Sequence, residues 1–284
     1  MKIRDFFVFM IRSVAIQGIL GSYHHIVSQQ YFDDNITVKE CLTFDKVVDS
    51  LVTKECDAAI MAIENSIAGS IIPNYALIDN NHLHIVGEHY LDIQHNLMAL
   101  NGQKIEDIKE VCSHPMALLQ CKEFLKKYPH IKLVEDKDTA DVARRIQEHK
   151  LENVGAIASD SAAQLFNLTV LDKSIQTIKH NETRFVIVKR NNSEIPEDQI
   201  NKASLKFELD HKRGSLAAML NVMSDCHLNL TKIQSLPKIE TPWKYAFFVD
   251  VSFEKYEDYA KAKSIMKIMA QDFKILGEYI NHKL

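Results

Sequence analysis

A chain of 284 residues is long for one hydrophobic core and sufficient for two domains. Its 34 basic and 38 acidic side chains leave a net charge of −4 with no block of like charge, which argues against a nucleic-acid partner. No apolar run approaches the ~18 residues of a membrane span, and the opening stretch mixes two arginines and an aspartate into its apolar residues, so a cytoplasmic protein with no membrane partner is expected. The five cysteines are odd in number and contain no C-x-x-C pair, which reads as thiols of a reducing compartment.

From residue 14 to residue 189, short apolar runs alternate with helical patterns, the signature of α/β layers. Residues 14–17, 58–63, 84–86, 132–134, 155–158 and 185–188 read as strands. Thr43 is placed to cap a helix in which Phe44, Val47, Val48, Leu51 and Val52 recur at helical spacing, and 139–149 repeats the pattern through Ala140, Ala143, Arg144 and Ile146. Residues 191–202 open with turn formers and lack an apolar period, which marks a linker. Beyond it come a strand (203–209), a helix (214–226), two strands (229–236 and 245–253), a helix (256–270) and a strand (273–279). That βαββαβ order is a ferredoxin-like layout, whose exposed sheet edge predicts a homodimer or homotetramer.

Four local patterns each have a structural and a functional reading. Gly18 to His25 follows a strand and opens a helix, so its backbone N–H groups suit an anion, although an ordinary βα loop explains it as well. It lacks the third glycine of a dinucleotide fingerprint and the Gly-Lys-Ser/Thr of a P-loop. Glu64-Asn65-Ser66, with Gly69, lies at the carboxyl end of a strand, where α/β sheets bind ligands and where Asn65 and Ser66 could equally cap a turn. Ser113-His114-Pro115 opens a helix over 116–125, with Pro115 at its first position and Ser113 or His114 as its cap. Asn181 to Phe185 puts Thr183 and Arg184 at a strand entrance, where an arginine is either a carboxylate clamp or a surface charge. His24-His25 and the His82, His84, His89 set lack a settled ligand geometry, so hydrogen-bonded or solvated histidines and no metal are expected.

In order and wording these motifs resemble the prephenate dehydratase family over nearly the whole chain. The matching residues are Gly18 to Tyr23, Thr43-Phe44, Ile63 to Ser66 with Gly69, Ser113-His114-Pro115 followed by Ala117-Leu118 and Gln120-Cys121, Ala156 to Ser159, and Asn181 with Thr183-Arg184-Phe185. After the linker, Gly214 to Leu216, Asn229 to Ile233 and Pro242-Trp243 resemble the ACT domain that the family carries.

The resemblance implies an α/β protein: a bilobed, periplasmic-binding-protein-like catalytic domain over 12–190, then a ferredoxin-like ACT regulatory domain over 203–284. The lobes would be 12–100 plus 183–190, and 101–182, with the active site in the cleft between them. The implied reaction removes carbon dioxide and water from prephenate, a cyclohexadiene, to give aromatic phenylpyruvate for phenylalanine biosynthesis. Aromatisation drives it, so no cofactor is needed. The family's fused chorismate mutase is not expected, because few residues precede Val14, and prephenate would then come from another protein.

By the same resemblance, Thr183 faces the leaving hydroxyl, with Glu64 or His114 as the titratable group behind it. A threonine hydroxyl is a very weak acid, whereas a desolvated Glu64 would have a raised pKa suited to proton donation. Ser22, Tyr23, Asn65, Ser66, Gly69 and Arg184 are the implied substrate contacts, and Phe185 a wall of the cleft. In the ACT domain Gly214, Ser215, Leu216, Asn229, Leu230, Gln234 and Ser235 are the implied phenylalanine contacts. Where family members read Gly-Ala-Leu-Val and Glu-Ser-Arg-Pro, this chain reads Gly214-Ser215-Leu216-Ala217 and Gln234-Ser235-Leu236-Pro237, losing a charged pair. The competing functions are arogenate dehydratase, the same elimination on the aminated substrate, and a non-catalytic amino-acid sensor.

Overall fold

The structure, a computed structural model, describes residues 11–32, 35–192, 195–237, 244–281 and 283. Pro242-Trp243, Ser193 of the linker and the first ten residues lie outside these. Two compact units divide the chain: of the described residues, 11–69 and 90–185 form one, and 70–89 with 186–283 the other.

In chain order the first sheet collects β1 (Ser13–Gln17), β2 (Thr37–Cys41), β3 (Ala58–Asn65), the two-residue β4 (Gly69–Ser70), β5 (His84–Asp92) and β11 (Glu182–Lys189) in the order β2-β1-β3-β11-β5, with β4 on β3. β1 runs parallel to both neighbours, Val14 opposite Val38 and Ala58. Helix α1 (Tyr23–Phe32) follows β1, and α2 (Phe44–Val52) follows β2. As its sequence predicts, α2 is capped by Thr43, whose Oγ1 accepts from Lys46 N at 3.3 Å, and it buries Val47, Val48 and Leu51. β2 escapes the apolar pattern because it is an edge strand, Thr-Val-Lys-Glu-Cys, with only Cys41 buried.

The second sheet is β10-β6-β9-β7-β8, from β6 (Asn96–Ala99), β7 (Glu110–Ser113), β8 (Lys132–Glu135), β9 (Val154–Ala158) and β10 (Thr169–Asp172). β6 is four residues long and wholly buried, too short for a period to show. The helix predicted over 116–125 is broken in two, α4 (Pro115–Gln120) and α5 (Lys122–Leu125), with Cys121 between them at φ −97° and ψ 7°. At the break the Gln120 carbonyl accepts from Thr177 N at 2.8 Å. α6 (Thr139–His149) matches its predicted span, but its buried stripe is Ala140, Val142, Ala143 and Ile146, while Arg144 pairs outside with Asp141 and Glu148. α3 (Ile72–Asn80) follows β4, and α7 (Asp160–Leu165) follows β9.

The third sheet has the order β13-β14-β12-β15, all antiparallel, from β12 (Lys202–Glu208), β13 (Asn229–Pro237), β14 (Tyr245–Ser252) and β15 (Asp272–Tyr279). With α8 (Ser215–Asp225) and α9 (Tyr256–Met269) this is the predicted ferredoxin-like layout. Its core gathers Phe207, Met219, Met223, Val249, Tyr259 and Met266, and Phe253 stacks on Tyr259 with ring centroids 4.5 Å apart.

The division of the chain groups α3 and the start of β5 with this third sheet, and polar clamps hold them there. Lys202 Nζ donates to both Glu88 oxygens at 2.9 and 2.8 Å, with 4% and 0% of the two side chains exposed. Asp79 takes Lys206 at 2.8 Å and Lys274 at 2.6 Å. Burial pushes the Asp79 carboxyl up, but the two lysines outweigh it and hold the group below its ordinary range. Lys232 donates to Ser70 Oγ at 2.9 Å and lies over the Tyr75 ring, which packs on Phe248. Backbone packing is equally close, since a Cβ on Gly277 would overlap the Ile85 carbonyl oxygen. That oxygen belongs to the backbone and has no rotamer by which to withdraw. Gly277→Ala should therefore cost about 1–3 kcal/mol, the scale of overpacking. Urea denaturation would measure it, and an unchanged midpoint would mean that the two segments separate easily.

Candidate active site

Asn65 is the last residue of β3, and its side-chain oxygen accepts from two backbone amides, Ile67 N at 3.0 Å and Ala68 N at 2.8 Å. Because both partners are obligate donors, the amide can stand only one way round. Its Nδ2 is thereby aimed at Asn181 Oδ1 (2.7 Å) and Thr183 Oγ1 (2.9 Å). Ser66 secures the same corner: its N donates to Glu182 O at 2.8 Å and its Oγ accepts from Glu182 N at 3.0 Å. Thr183 is 7% exposed at the start of β11, and since its oxygen receives the Asn65 proton, its own O–H is left to donate elsewhere.

The polarity passes onward. With Asn181 Oδ1 facing Asn65, Asn181 Nδ2 faces Gln120 Oε1 at 2.8 Å. Gln120 Oε1 also lies 2.9 Å from His95 Nε2, and Gln120 Nε2 lies 3.4 Å from Asn65 Oδ1. Gln120, at the end of α4, lines a cavity of about 280 Å³ with Ile67, Ala68, Met116, Leu119, Thr177 and Ile178. Four of these, Ile67, Met116, Leu119 and Ile178, are exposed apolar side chains. Gln120 thus links the Asn65, Asn181 and Thr183 cluster to a largely apolar opening that Lys122 and Glu123 also line.

The other predicted residues are placed as follows. Tyr23 Oη is committed within the protein, 2.8 Å from Gln94 O and 2.9 Å from His95 Nδ1, and burial raises its pKa well above the ordinary value. Ser22 is buried and accepts from His25 N at 3.3 Å, at the start of α1. In the Gly18 to Ser22 turn the amides of Gly18, Leu20, Gly21 and Ser22 donate to Cys41 O, Glu40 Oε1, His25 Nδ1 and Ile19 O, so these four are not offered to an anion. The turn is instead a packed corner, since a Cβ on Gly21 would approach Ala162 Cα to 3.0 Å. Gly69 has φ +83° with open space around it. Glu64 is half-buried and neighbours Asn65 in β3, so strand alternation turns it to the opposite face. Arg184 is 5% exposed and alternates in the same way with Thr183. His114 is exposed and caps α4, its Nδ1 accepting from Met116 N at 3.2 Å. Phe185 is a core residue, 1% exposed, with its ring edge-on to His24 at 4.9 Å.

Among the implied regulatory residues, Gly214 caps α8 at φ +84°, and Ser215 and Leu216 line a cavity of about 130 Å³ with Asp210, Lys212, Lys244, Tyr245 and Phe247. Asn229, Leu230, Gln234 and Ser235 lie along β13 and are not part of that lining. Among the described residues no group of three or more His, Cys, Asp or Glu is arranged to hold a metal, and no helix is long and apolar enough to cross a membrane.

Gln120, Asn181 and His95 carry no assigned role in the sequence reading. Gln120 and Asn181 stand within matching motifs, but a carboxamide has no charge or spacing that sets it apart. For His95 the available signal is a polar Gln94-His95-Asn96 step directly before an apolar run.

These elements define an α/β enzyme in which two sheets carry the site and a third, ferredoxin-like sheet follows. The sequence pattern of prephenate dehydratase matches residues 14–193, and the chain belongs to the prephenate dehydratase family of lyases. It is 31% identical over 271 residues to a bifunctional chorismate mutase/prephenate dehydratase of Buchnera aphidicola from Acyrthosiphon pisum, covering 94% of this chain and 70% of that one. It is 36% identical over 281 residues to arogenate dehydratase 2 of Petunia hybrida, covering 94% and 71%. Among solved structures, prephenate dehydratase of Arthrobacter aurescens in complex with L-Phe shares the fold, with a TM-score of 0.85 at 23% identity over 95% of this chain and 90% of that one.

Two buried histidines make the fold sensitive to acid. Burial holds His24 at a pKa of about 3 and His95 at about 4, against 6.5 for a free imidazole. Below pH 6.5 the unfolded chain binds protons that the folded chain refuses, so this stability is present above that value and is lost as pH falls towards 4 and then 3. Between pH 5.5 and 4.5 the two together should remove about 2–3 kcal/mol, at ~1.4 kcal/mol per proton per pH unit. Urea midpoints across that range, with His24→Gln showing a slope shallower by about one proton, would check it.

Proposed function

We propose that the Asn65, Gln120, Asn181 and Thr183 cluster is the catalytic centre for decarboxylating dehydration of prephenate to phenylpyruvate. The observation that carries this reading is the Asn65 Nδ2 to Thr183 Oγ1 hydrogen bond, which frees the Thr183 proton for the substrate. As the carboxylate leaves as carbon dioxide, its bonding pair enters the ring and the C–O bond to the ring hydroxyl breaks. Negative charge then grows on the departing oxygen. A donor aimed at that oxygen is worth more at the transition state than in the bound substrate. The oxygen leaves as water once it has taken a proton from the Thr183 hydroxyl, which acts as a relay and regains a proton from solvent, so that no alkoxide is left behind. Gln120 and the apolar opening beside it would orient the ring.

The domain limits suggested by the sequence, 12–190 for catalysis and 203–284 for ACT-type regulation, are part of this proposal, as are a cytoplasmic location and a homodimer or homotetramer. Thr183→Ala should lower kcat by about 10²–10³-fold, the loss typical of one transition-state donor, with little change in KM. Steady-state kinetics with prephenate and arogenate supplied separately, following phenylpyruvate and phenylalanine, test the reading. Conversion of arogenate alone would move the substrate to the aminated form, and conversion of neither would leave a sensor.

Phenylalanine is the proposed regulator, bound at the Ser215 and Leu216 cavity. In support, the Arthrobacter aurescens protein is described in complex with L-Phe, and Gly214 gives the turn before α8 an open, positive-φ corner. A cavity of about 130 Å³ is small for a whole phenylalanine, so a second surface would have to complete it. Calorimetry on the full chain should register phenylalanine binding that Leu216→Asp weakens at least tenfold. No heat at millimolar ligand would leave the third sheet a role in assembly alone.

A further inference from the structure

The catalytic reading leaves unexplained a buried chain of hydrogen bonds behind Gln120. His95 is 4% exposed, and both sides of its backbone are held: its N donates to Gln176 Oε1 at 3.0 Å and its O accepts from Ile175 N at 2.8 Å. Gln176 is itself 1% exposed. The ring therefore has a fixed root, and its two nitrogens reach opposite ways, Nε2 to Gln120 and Nδ1 to the Tyr23 hydroxyl. The Tyr23 ring stands edge-on to it, with centroids 5.7 Å apart.

The proton positions in this chain follow from the far end of the site. Ile67 N and Ala68 N fix Asn65, Asn65 fixes Asn181, and Asn181 obliges Gln120 to present its oxygen to His95. An acceptor at 2.9 Å requires a proton on Nε2. In a neutral ring Nδ1 is then a bare lone pair, and the single proton of Tyr23 has two acceptors, His95 Nδ1 and Gln94 O. Gln120 Oε1 receives two donors, Asn181 Nδ2 and His95 Nε2, so both of its lone pairs are occupied and its carboxamide plane is set.

We propose that Tyr23 and His95 form a positioning pair for the dehydration: His95, held as its Nε2–H tautomer by the amide network and steadied by the Tyr23 hydroxyl, fixes Gln120 in the orientation that the substrate meets. Neither residue is a catalytic residue in this scheme, since both act through Gln120. The inference rests on the dehydratase reading of the Thr183 cluster. It goes beyond that reading in giving Tyr23 a role behind the site in place of a substrate contact.

Two substitutions separate the ends of the ring. His95→Asn removes the donor to Gln120, whereas His95→Gln can return an N–H to nearly the same point. His95→Asn should lower kcat about 10–100-fold, the scale of misplacing a reacting group, with KM for prephenate changed less than about threefold. His95→Gln should recover activity to within about fivefold of the unaltered chain. Tyr23→Phe, which keeps the ring but removes the hydroxyl, should fall between them. Unaltered kcat in His95→Asn, or equal losses in His95→Asn and His95→Gln, would overturn the proposal. A second measurement needs neither turnover nor variant stability: long-range proton–nitrogen correlation spectra of histidine-labelled, unaltered protein at neutral pH should show His95 as the Nε2–H tautomer. Finding the Nδ1–H tautomer would sink the pair even if the kinetics agreed. Should the unaltered chain leave both prephenate and arogenate untouched while His95 shows the expected tautomer, the dehydratase reading fails and the geometry of the pair stands.

Discussion

Two backbone N–H groups, those of Ile67 and Ala68, set the polarity of the candidate site. By giving Asn65 Oδ1 two donors they remove the freedom of its amide to turn over, and every polar group beyond inherits a direction from that choice. A buried carboxamide network has two self-consistent polarities unless something external breaks the tie. Here the tie is broken by groups that cannot accept, and Thr183 Oγ1 stands at the end of the line as an acceptor from Asn65. The turn that presents those N–H groups lies directly after β3, so an ordinary feature of α/β sheets, polar backbone at the carboxyl end of a strand, sets up that polarity.

Much of the fold was legible because burial writes a period into the sequence. The uninterrupted run in β3 and the helical stripe Val47, Val48, Leu51 give strand and helix without ambiguity, and the four strands of the third sheet and its two helices appear within two residues of their predicted limits. The period fails where an element is too short or too exposed to carry one, as in β6 and β2. It also fails at Cys121, where a tertiary bond from Thr177 N to the Gln120 carbonyl ends a helix whose apolar pattern continues.

The site was legible in its motifs and not in its wiring. Asn65 and Thr183 stand at strand ends, where position alone recommends them. The neighbours Glu64 and Arg184 share those motifs, yet strand alternation sends each to the other face, a distinction that a linear motif does not express. Gln120 at the end of α4 and Asn181 and His95 in two separate loops converge from up to 86 residues apart in sequence, and only the folded chain puts them in one line.

The clamps between the third sheet and residues 70–89 bear on modularity. By composition the linker at 191–202 looks like a place where recombination could cut and exchange whole domains. A cut there would strand Glu88 without Lys202 and Asp79 without Lys206 and Lys274, leaving carboxylates in places shaped for ion pairs. It would also strip Phe248 from Tyr75 and part the closely packed backbones of Gly277 and Ile85. The C-terminal sheet therefore keeps these partners only where α3 and the start of β5 come with it. Grafts that respect this discontinuous boundary should travel between relatives more readily than grafts made at the linker.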